Sequence, residues 1–297
     1  MIVDVHTHIF PPEFIRRREK LVREDRWFGT LYANPRSRMV GASRLLGSMA
    51  RSGVSHSVVF SFPWADRGRL REANDYLFDS ADKSEGKLLP FVMADPHDMK
   101  FSQKEVERFL ARKVRGIGEL MPEGQSFSFD DPARTEGIMK LAQAHGLFVH
   151  IHTNEPVGHE YPGKHSVRLD VICRWAEKFP EVKIICGHWG GGLIFYELMP
   201  EVRDALRHVY YDSAASSLLY RDRVLSVAAG IAPRKILFGT DYPLIRQSGL
   251  LKRVEAEMKN APLRDFLGGN ARRLFKLRDA DDPPKRETQL ALFGKGR

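Results

Sequence analysis

Ile2-Val3-Asp4-Val5-His6-Thr7-His8 is an apolar run that ends on two histidines spaced two apart. In an extended strand successive side chains point to opposite faces, so Asp4, His6 and His8 share one face. Three more segments repeat the design: Val149-His150-Ile151-His152, Ile184-Ile185-Cys186-Gly187-His188 and Phe238-Gly239-Thr240-Asp241. Each places a metal-binding side chain near the end of an apolar run, and Gly116-Ile117-Gly118-Glu119 adds a carboxylate between the first and second. The same parity groups Arg115, Ile117 and Glu119, His150 with His152, Cys186 with His188, and Gly239 with Asp241. Imidazole nitrogens and carboxylate oxygens at strand ends can converge on one or two divalent cations, and such a cation can ionise water near neutral pH.

Working outward, strand-length apolar runs at 2–8, 56–62, 88–94, 115–120, 148–153, 183–188, 208–213 and 235–241 alternate with amphipathic stretches such as 69–81, 103–112, 132–144 and 167–178. Eight strands separated by crossovers predict an α/β fold of the (β/α)8 TIM-barrel type. A doubly wound open sheet is the alternative, and no glycine-rich nucleotide loop supports it. If the shared faces point inward, the last residue of each set lies at the C-terminal mouth, where barrel enzymes carry their chemistry. The long connection at 9–41, with Pro11-Pro12 and Trp27-Phe28-Gly29, reads as a lid-like insertion after strand 1. A second long loop spans 154–166. A last helix at 263–277 is expected to pack on the barrel. Residues 1–278 thus read as one domain, and 279–297 as a flexible charged tail.

Composition narrows the classes. A chain of 297 residues with 42% hydrophobic content suits a single barrel. Its two cysteines, Cys173 and Cys186, exclude a disulfide framework and a four-thiolate zinc site, and fit a reducing cytoplasm. No run approaches the roughly 18 apolar residues of a membrane helix, and no secretion-type segment opens the sequence, so a soluble cytoplasmic protein is expected. The net charge of +9, from 47 basic and 38 acidic residues, is spread widely and reads mainly as solvated surface. A nucleic-acid partner is therefore disfavoured; a small-molecule substrate is expected, and a homo-oligomer is compatible with the sequence.

The ordered set Asp4-Val5-His6-Thr7-His8, Ile151-His152-Thr153, Gly187-His188-Trp189-Gly190-Gly191 and Phe238-Gly239-Thr240-Asp241-Tyr242-Pro243 resembles the amidohydrolase superfamily. It is most similar to the amidohydrolase-related branch of metal-dependent hydrolases and non-oxidative decarboxylases, with TatD-like features in the position of Glu119. The resemblance covers 2–277. It implies His6, His8, His152 and Asp241 as metal ligands, with Asp241 also moving a proton. His188 polarises the substrate or steers water in a one-metal arrangement, and ligates the second ion in a two-metal one. Glu119 is either a ligand, deciding for two ions, or an acceptor for an imidazole N–H or a substrate contact. His150 lies one layer lower and reads as a hydrogen-bonded interior residue.

Other groups read more plainly. Arg16, Arg17 and Arg18 read as a solvated helix face, Trp27, Phe28, Trp64 and Trp189 as core or rim, and Cys186 as packing. No substrate-binding residue is named by the sequence. The expected activity is metal-assisted hydrolysis of a carboxylic ester, lactone or amide, and less so of a phosphoester. Zinc is the first-choice ion, with manganese or iron as substitutes. Non-oxidative decarboxylation of an aromatic or unsaturated carboxylate is the alternative, and a TatD-like nuclease the third reading.

Overall fold

The computed structural model describes residues 1–164 and 168–278. Eight parallel strands follow one another around the sheet in chain order: β1 (Val3–His8), β2 (His56–Phe60), β3 (Leu88–Val92), β4 (Gly116–Leu120), β5 (Phe148–Ile151), β6 (Ile184–Cys186), β7 (Val209–Asp212) and β8 (Ile236–Leu237). Backbone hydrogen bonds from Val5 N to Phe238 O (2.8 Å), Asp241 N to His6 O (2.9 Å) and His8 N to Tyr242 O (2.7 Å) join the last strand to the first. The result is the expected (β/α)8 barrel. Its strands are buried almost throughout, as a sheet wrapped by helices requires.

The crossover helices start and stop on local chemistry. Asp66, Asp98 and Asp131 each accept a backbone N–H at the first turn of the helices Arg67–Asp82, Met99–Phe109 and Pro132–His145. Pro132 opens the last of these and Gly146, at φ 62°, closes it. The expected helix at 167–178 is described as Leu169–Lys178, residue 167 lying outside the described residues. So does the expected tail at 279–297.

Several strands are shorter than expected, among them β3, which ends at Val92, and β5, which ends at Ile151. Strand 8 keeps its ladder with β7 only over Ile236–Leu237, because the next N–H groups go elsewhere, Phe238 to the Phe266 carbonyl (3.2 Å) and Gly239 to Ser213 Oγ (3.1 Å). Strand 2 stops at Phe60 rather than 62. The expected final helix runs unbroken from Asn260 to Phe275, widening to π-helix over Asp265–Gly269, where Gly268 lies against the Met1 carbonyl and a Cβ would meet it at 2.4 Å.

Segment 9–41 folds as three short helices, Pro12–Arg16, Arg18–Glu24 and Arg26–Tyr32, which carry their own apolar anchor. Phe10, Phe14, Leu21 and Phe28 are buried. The Phe28 ring stacks on Tyr32 (4.6 Å between centroids) and on Trp64 (4.9 Å) from beyond β2. Burying one such aromatic side chain contributes up to about 3 kcal/mol, so this packing fixes the segment against the barrel mouth. Among the described residues, no helix is long and apolar enough to cross a membrane.

Candidate metal centre and active-site cavity

The inward faces of β1 and β4, with the segments that follow β5, β6 and β8, bring His6, His8, Glu119, His152, His188 and Asp241 to one place at the C-terminal mouth. His6 Nε2 and His8 Nε2 lie 3.2 Å apart, and Glu119 Oε2 is 3.5 Å from each. Asp241 Oδ1 is 3.4 Å from His8 Nε2 and 3.9 Å from His6 Nε2. The other Glu119 oxygen, Oε1, is 2.8 Å from His152 Nδ1, which lies 3.1 Å from His188 Nε2. Glu119 therefore stands between two groups of donors.

The tautomers are set from outside this cluster. His6 Nδ1 donates to Asp212 Oδ2 (2.9 Å), His188 Nδ1 to the Ala214 carbonyl (3.0 Å), and His8 Nδ1 points at the Ser61 carbonyl (3.4 Å). A neutral imidazole with its proton on Nδ1 presents a lone pair at Nε2. Three such lone pairs converge with two carboxylates, an arrangement that repels itself unless positive charge sits among them. The spacing fits an ion: donors at about 2.1 Å from a tetrahedral metal are about 3.4 Å from one another, and about 3.0 Å in an octahedral shell. The separations among His6, His8 and Glu119 and between His8 and Asp241, 3.2–3.5 Å, are close to those edges, while Asp241 stands farther from His6 at 3.9 Å. Glu119, His152 and His188 also lie within 4.8 Å of one another, so a second ion would find three donors.

Electrostatics follow from burial and these neighbours. Burial alone pulls the His6 imidazole down, but the Asp212 and Glu119 carboxylates overcome it and hold His6 well above the usual histidine range. His152 is likewise raised by Glu119 against its burial. Burial would raise Glu119, yet His6 and His152 hold it well below the usual carboxylate range. Burial lowers His8, and burial with the neighbouring His152 lowers His188. The cluster thus stores negative charge on its acids and takes up protons at two imidazoles when no cation supplies the balance.

Asp212 is the residue the sequence reading missed. It is fully buried at the end of β7; Oδ2 accepts from His6 and from His150 Nε2 (2.9 Å each), and Oδ1 accepts from the His188 and Ala214 backbone N–H groups (3.1 and 2.9 Å). Burial pushes its carboxyl up, and His6 and His150 more than reverse this, holding it below the usual range. Gly239 makes the approach possible: a Cβ there would sit 3.1 Å from both Asp212 Cβ and His6 Cβ. His150 takes the interior, hydrogen-bonded place expected of it. The only available sequence signal for Asp212 was an acid ending an otherwise apolar strand.

His188 (φ 54°) and Asp241 (φ 60°) both adopt left-handed backbone, which costs non-glycine residues of order 1–2 kcal/mol each. A positive-φ run continues through Trp189, Gly190, Gly191 and Gly192, so the turn that His188 opens is built to project its side chain over the strand ends.

Above the cluster lies a cavity of about 510 Å³. His8, Glu119, His152, His188 and Asp241 form its floor; Leu31, Tyr32, Met121, Leu218, Leu219 and Leu244 supply apolar wall, and Arg38 a guanidinium. Segment 9–41 thus forms part of the wall. Of the three neighbouring arginines read as solvated, Arg18 turns inward to hold the Tyr32 carbonyl (Nε 3.0 Å), whereas Arg16 pairs with Glu13.

An eight-stranded barrel with histidines and acids converging at its C-terminal mouth defines the amidohydrolase class of architecture. The chain belongs to the amidohydrolase family, whose model matches residues 3–277. No curated protein sequence matches it. Among solved structures it is similar to 5-carboxyvanillate decarboxylase from Sphingomonas paucimobilis, with TM-score 0.75 and 16% identity over 93% of this chain and 99% of that one. A second is 2,6-dihydroxybenzoate decarboxylase from Rhizobium, with TM-score 0.66 and 19% identity over 93% and 98%. A third is 5-carboxyvanillate decarboxylase from Novosphingobium aromaticivorans, complexed with manganese and a nitrobenzoic acid, with TM-score 0.74 and 14% identity over 93% and 96%. These likenesses establish the fold. The expected TatD-like features find no support in the comparisons: Glu119 occupies the anticipated place, but the family matched is the amidohydrolase one.

Proposed function

We propose that the chain is a divalent-metal-dependent enzyme that releases CO2 from an aromatic or unsaturated carboxylate. The observation that carries this reading is the cavity, a largely apolar-walled chamber of about 510 Å³ with one guanidinium in its wall and a charged floor, roomy enough to admit an aromatic acid. The solved structures of like fold described as decarboxylases, one of them with manganese, support it.

His6, His8 and Asp241, with Glu119 Oε2, would hold the ion, and manganese takes the place that zinc holds in the sequence reading. When bound, a cation supplies Lewis-acid charge for a substrate oxygen. Arg38, which also donates to the Leu244 carbonyl (3.2 Å), offers a second site for an anionic group, and the leucines of the wall offer the ring apolar contact. When the bond between the carboxyl carbon and the rest of the acid breaks, its electron pair stays on the substrate carbon and must take a proton. Asp241, with 17% of its side chain exposed, is assigned that transfer, passing to the carbon a proton that it takes from solvent, so that acid and proton become CO2 and the protonated product. His188 is assigned to hold the substrate oxygen. We also assign residues 1–278 to one barrel unit, with 9–41 as its lid.

Hydrolysis of an ester, lactone or amide is the second reading, and one observation favours it. Glu119 presents its two oxygens to two separate donor groups, the placement a carboxylate shared by two ions would have. Metal analysis of protein purified without chelators, together with CO2 release from a panel of aromatic acids, separates the two. About one equivalent of metal and CO2 release support decarboxylation. Two equivalents, ester or lactone turnover and no CO2 overturn it.

A further inference from the structure

The end of the barrel opposite the metal cluster is built from the connections that lead out of each helix into the next parallel strand, together with the end of the last helix. Counted from the last two residues of each helix to the first of the following strand, these connections are 51–56, 81–88, 111–116, 144–148, 177–184, 204–209 and 230–236, and the last helix adds 274–278. They hold 13 lysines and arginines against 5 acids, an excess of +8. The whole chain carries +9, from 47 basic and 38 acidic residues, so the remaining 34 and 33 nearly cancel. Charge that is scattered along the sequence is thus gathered in space at one end of the barrel.

Phe275 anchors the last helix under that end, its ring 4.8 Å from Phe148 and its carbonyl 3.4 Å from Arg115 Nη1. Few of the cations there are compensated. Asp82 pairs with Arg112 (2.7 Å) and Glu85 with Lys87 (3.6 Å). Arg51, Lys83, Arg115, Lys183, Arg207 and Arg234 have no carboxylate at ion-pair distance among the described residues. Their closeness shows at two histidines of the same face. After burial, Arg207, Lys183 and Lys235 lower the His208 imidazole, and Arg115 lowers His56, with no carboxylate acting against them.

A field of one sign drawn from many separate connections suits an extended polyanion better than one small anion. No aromatic ring of these connections is exposed, and only Met1 and Leu110 among the exposed large apolar side chains border them. A single strand would therefore find no stacking platform and a bilayer little apolar anchor, which leaves the regular phosphates of a duplex.

We propose that the N-terminal end of the barrel is a sequence-independent docking surface for the phosphate backbone of duplex nucleic acid. The partner that scattered charge disfavours is restored by where the fold puts that charge. The surface holds phosphates without cleaving them, and it stands whether or not the chain releases CO2 at its other end.

The test is fluorescence anisotropy of labelled DNA and RNA duplexes of about 20 base pairs, titrated with the purified full chain over a series of salt concentrations. Wild type is expected to bind at least one of them, more weakly as salt rises. Arg207→Gln/Arg234→Gln changes two exposed side chains and should weaken that binding at least about 10-fold at low salt. It should also reduce the slope of log affinity against log salt by about 1.8, two phosphate contacts at about 0.9 each. Lys100→Gln/Lys104→Gln makes the same change in charge on the exposed face of helix Met99–Phe109, near its mouth end, and should bind as wild type does. Circular dichroism checks that both variants are folded. No duplex binding at about 50 mM salt, or equal weakening by the two variants, overturns the assignment. So does sedimentation with phosphatidylserine vesicles while both duplexes stay unbound.

Discussion

Asp212→Asn is the substitution that tests the organisation of the centre most directly. The change is isosteric, and it replaces one carboxylate oxygen with an NH2 group. Asp212 accepts four hydrogen bonds: two from backbone N–H groups at Oδ1 and two from imidazoles at Oδ2. An asparagine that keeps its oxygen on the backbone donors aims its NH2 at His6 Nδ1 and His150 Nε2. Flipping the amide only moves the donor–donor conflict to the backbone side. In the first orientation His6 must become an acceptor at Nδ1, which moves its proton to Nε2, the nitrogen that faces His8 and Glu119. The lone pair offered to a cation disappears. Loss of the carboxylate behind a ligating histidine costs 10–100-fold in metal affinity, or about 1.4–2.7 kcal/mol. The assay is manganese titration of chelator-stripped protein by competition with a coloured chelator, with circular dichroism to confirm the fold. A dissociation constant within twofold of wild type, in a correctly folded variant, would refute the view that Asp212 sets the His6 tautomer.

Three further outcomes are expected. Asp241→Asn keeps a neutral oxygen in the centre but cannot carry the proton, so it should retain part of its metal and lose at least about 100-fold in turnover; full activity on an identified substrate would end its proton-transfer role. Phe28→Ala removes the ring on which Tyr32 and Trp64 stack and should cost about 3–5 kcal/mol in urea unfolding, a loss below about 1 kcal/mol meaning that segment 9–41 is anchored elsewhere. Asp4, fully buried beneath the centre, is raised by burial from 3.8 to about 6 against the donors Thr240 and Gln247. Because the folded state holds this proton more tightly, the group's contribution to stability is fully present below pH 3.8 and is lost as pH rises through about 6. The loss is about 3 kcal/mol, read as the difference between the pH–stability curves of wild type and Asp4→Asn. Parallel curves would contradict it.

Much of the barrel was legible from local pattern. Strand parity alone placed His6 with His8 and Glu119 with Ile117, because alternation along a strand is a property of the backbone and needs no neighbours. The family likeness then ordered the strand ends, and the six residues it singled out do meet at one mouth. Strand 8 was overestimated because Phe238-Gly239-Thr240-Asp241 is apolar enough to pair, whereas the Phe238 and Gly239 N–H groups turn to Phe266 and Ser213, partners that local pattern does not reveal.

Three things came only from the tertiary structure. Asp212 was indistinguishable in sequence from any acid that caps a strand; its meaning lies in its hydrogen bonds to His6, 206 residues away, and to His150, 62 residues away. The two-sided placement of Glu119 depends on where β1 and β5 set their histidines, which no spacing within 116–120 encodes. Segment 9–41 offered only prolines, charges and aromatics, and the burial of Phe28 between Tyr32 and Trp64 decided which of them reach the cavity. Periodicity determines which face a side chain takes, because it is written within a few residues of chain. Which faces then meet, and at what distance, depends on contacts between segments far apart in sequence, and only the closed barrel sets those.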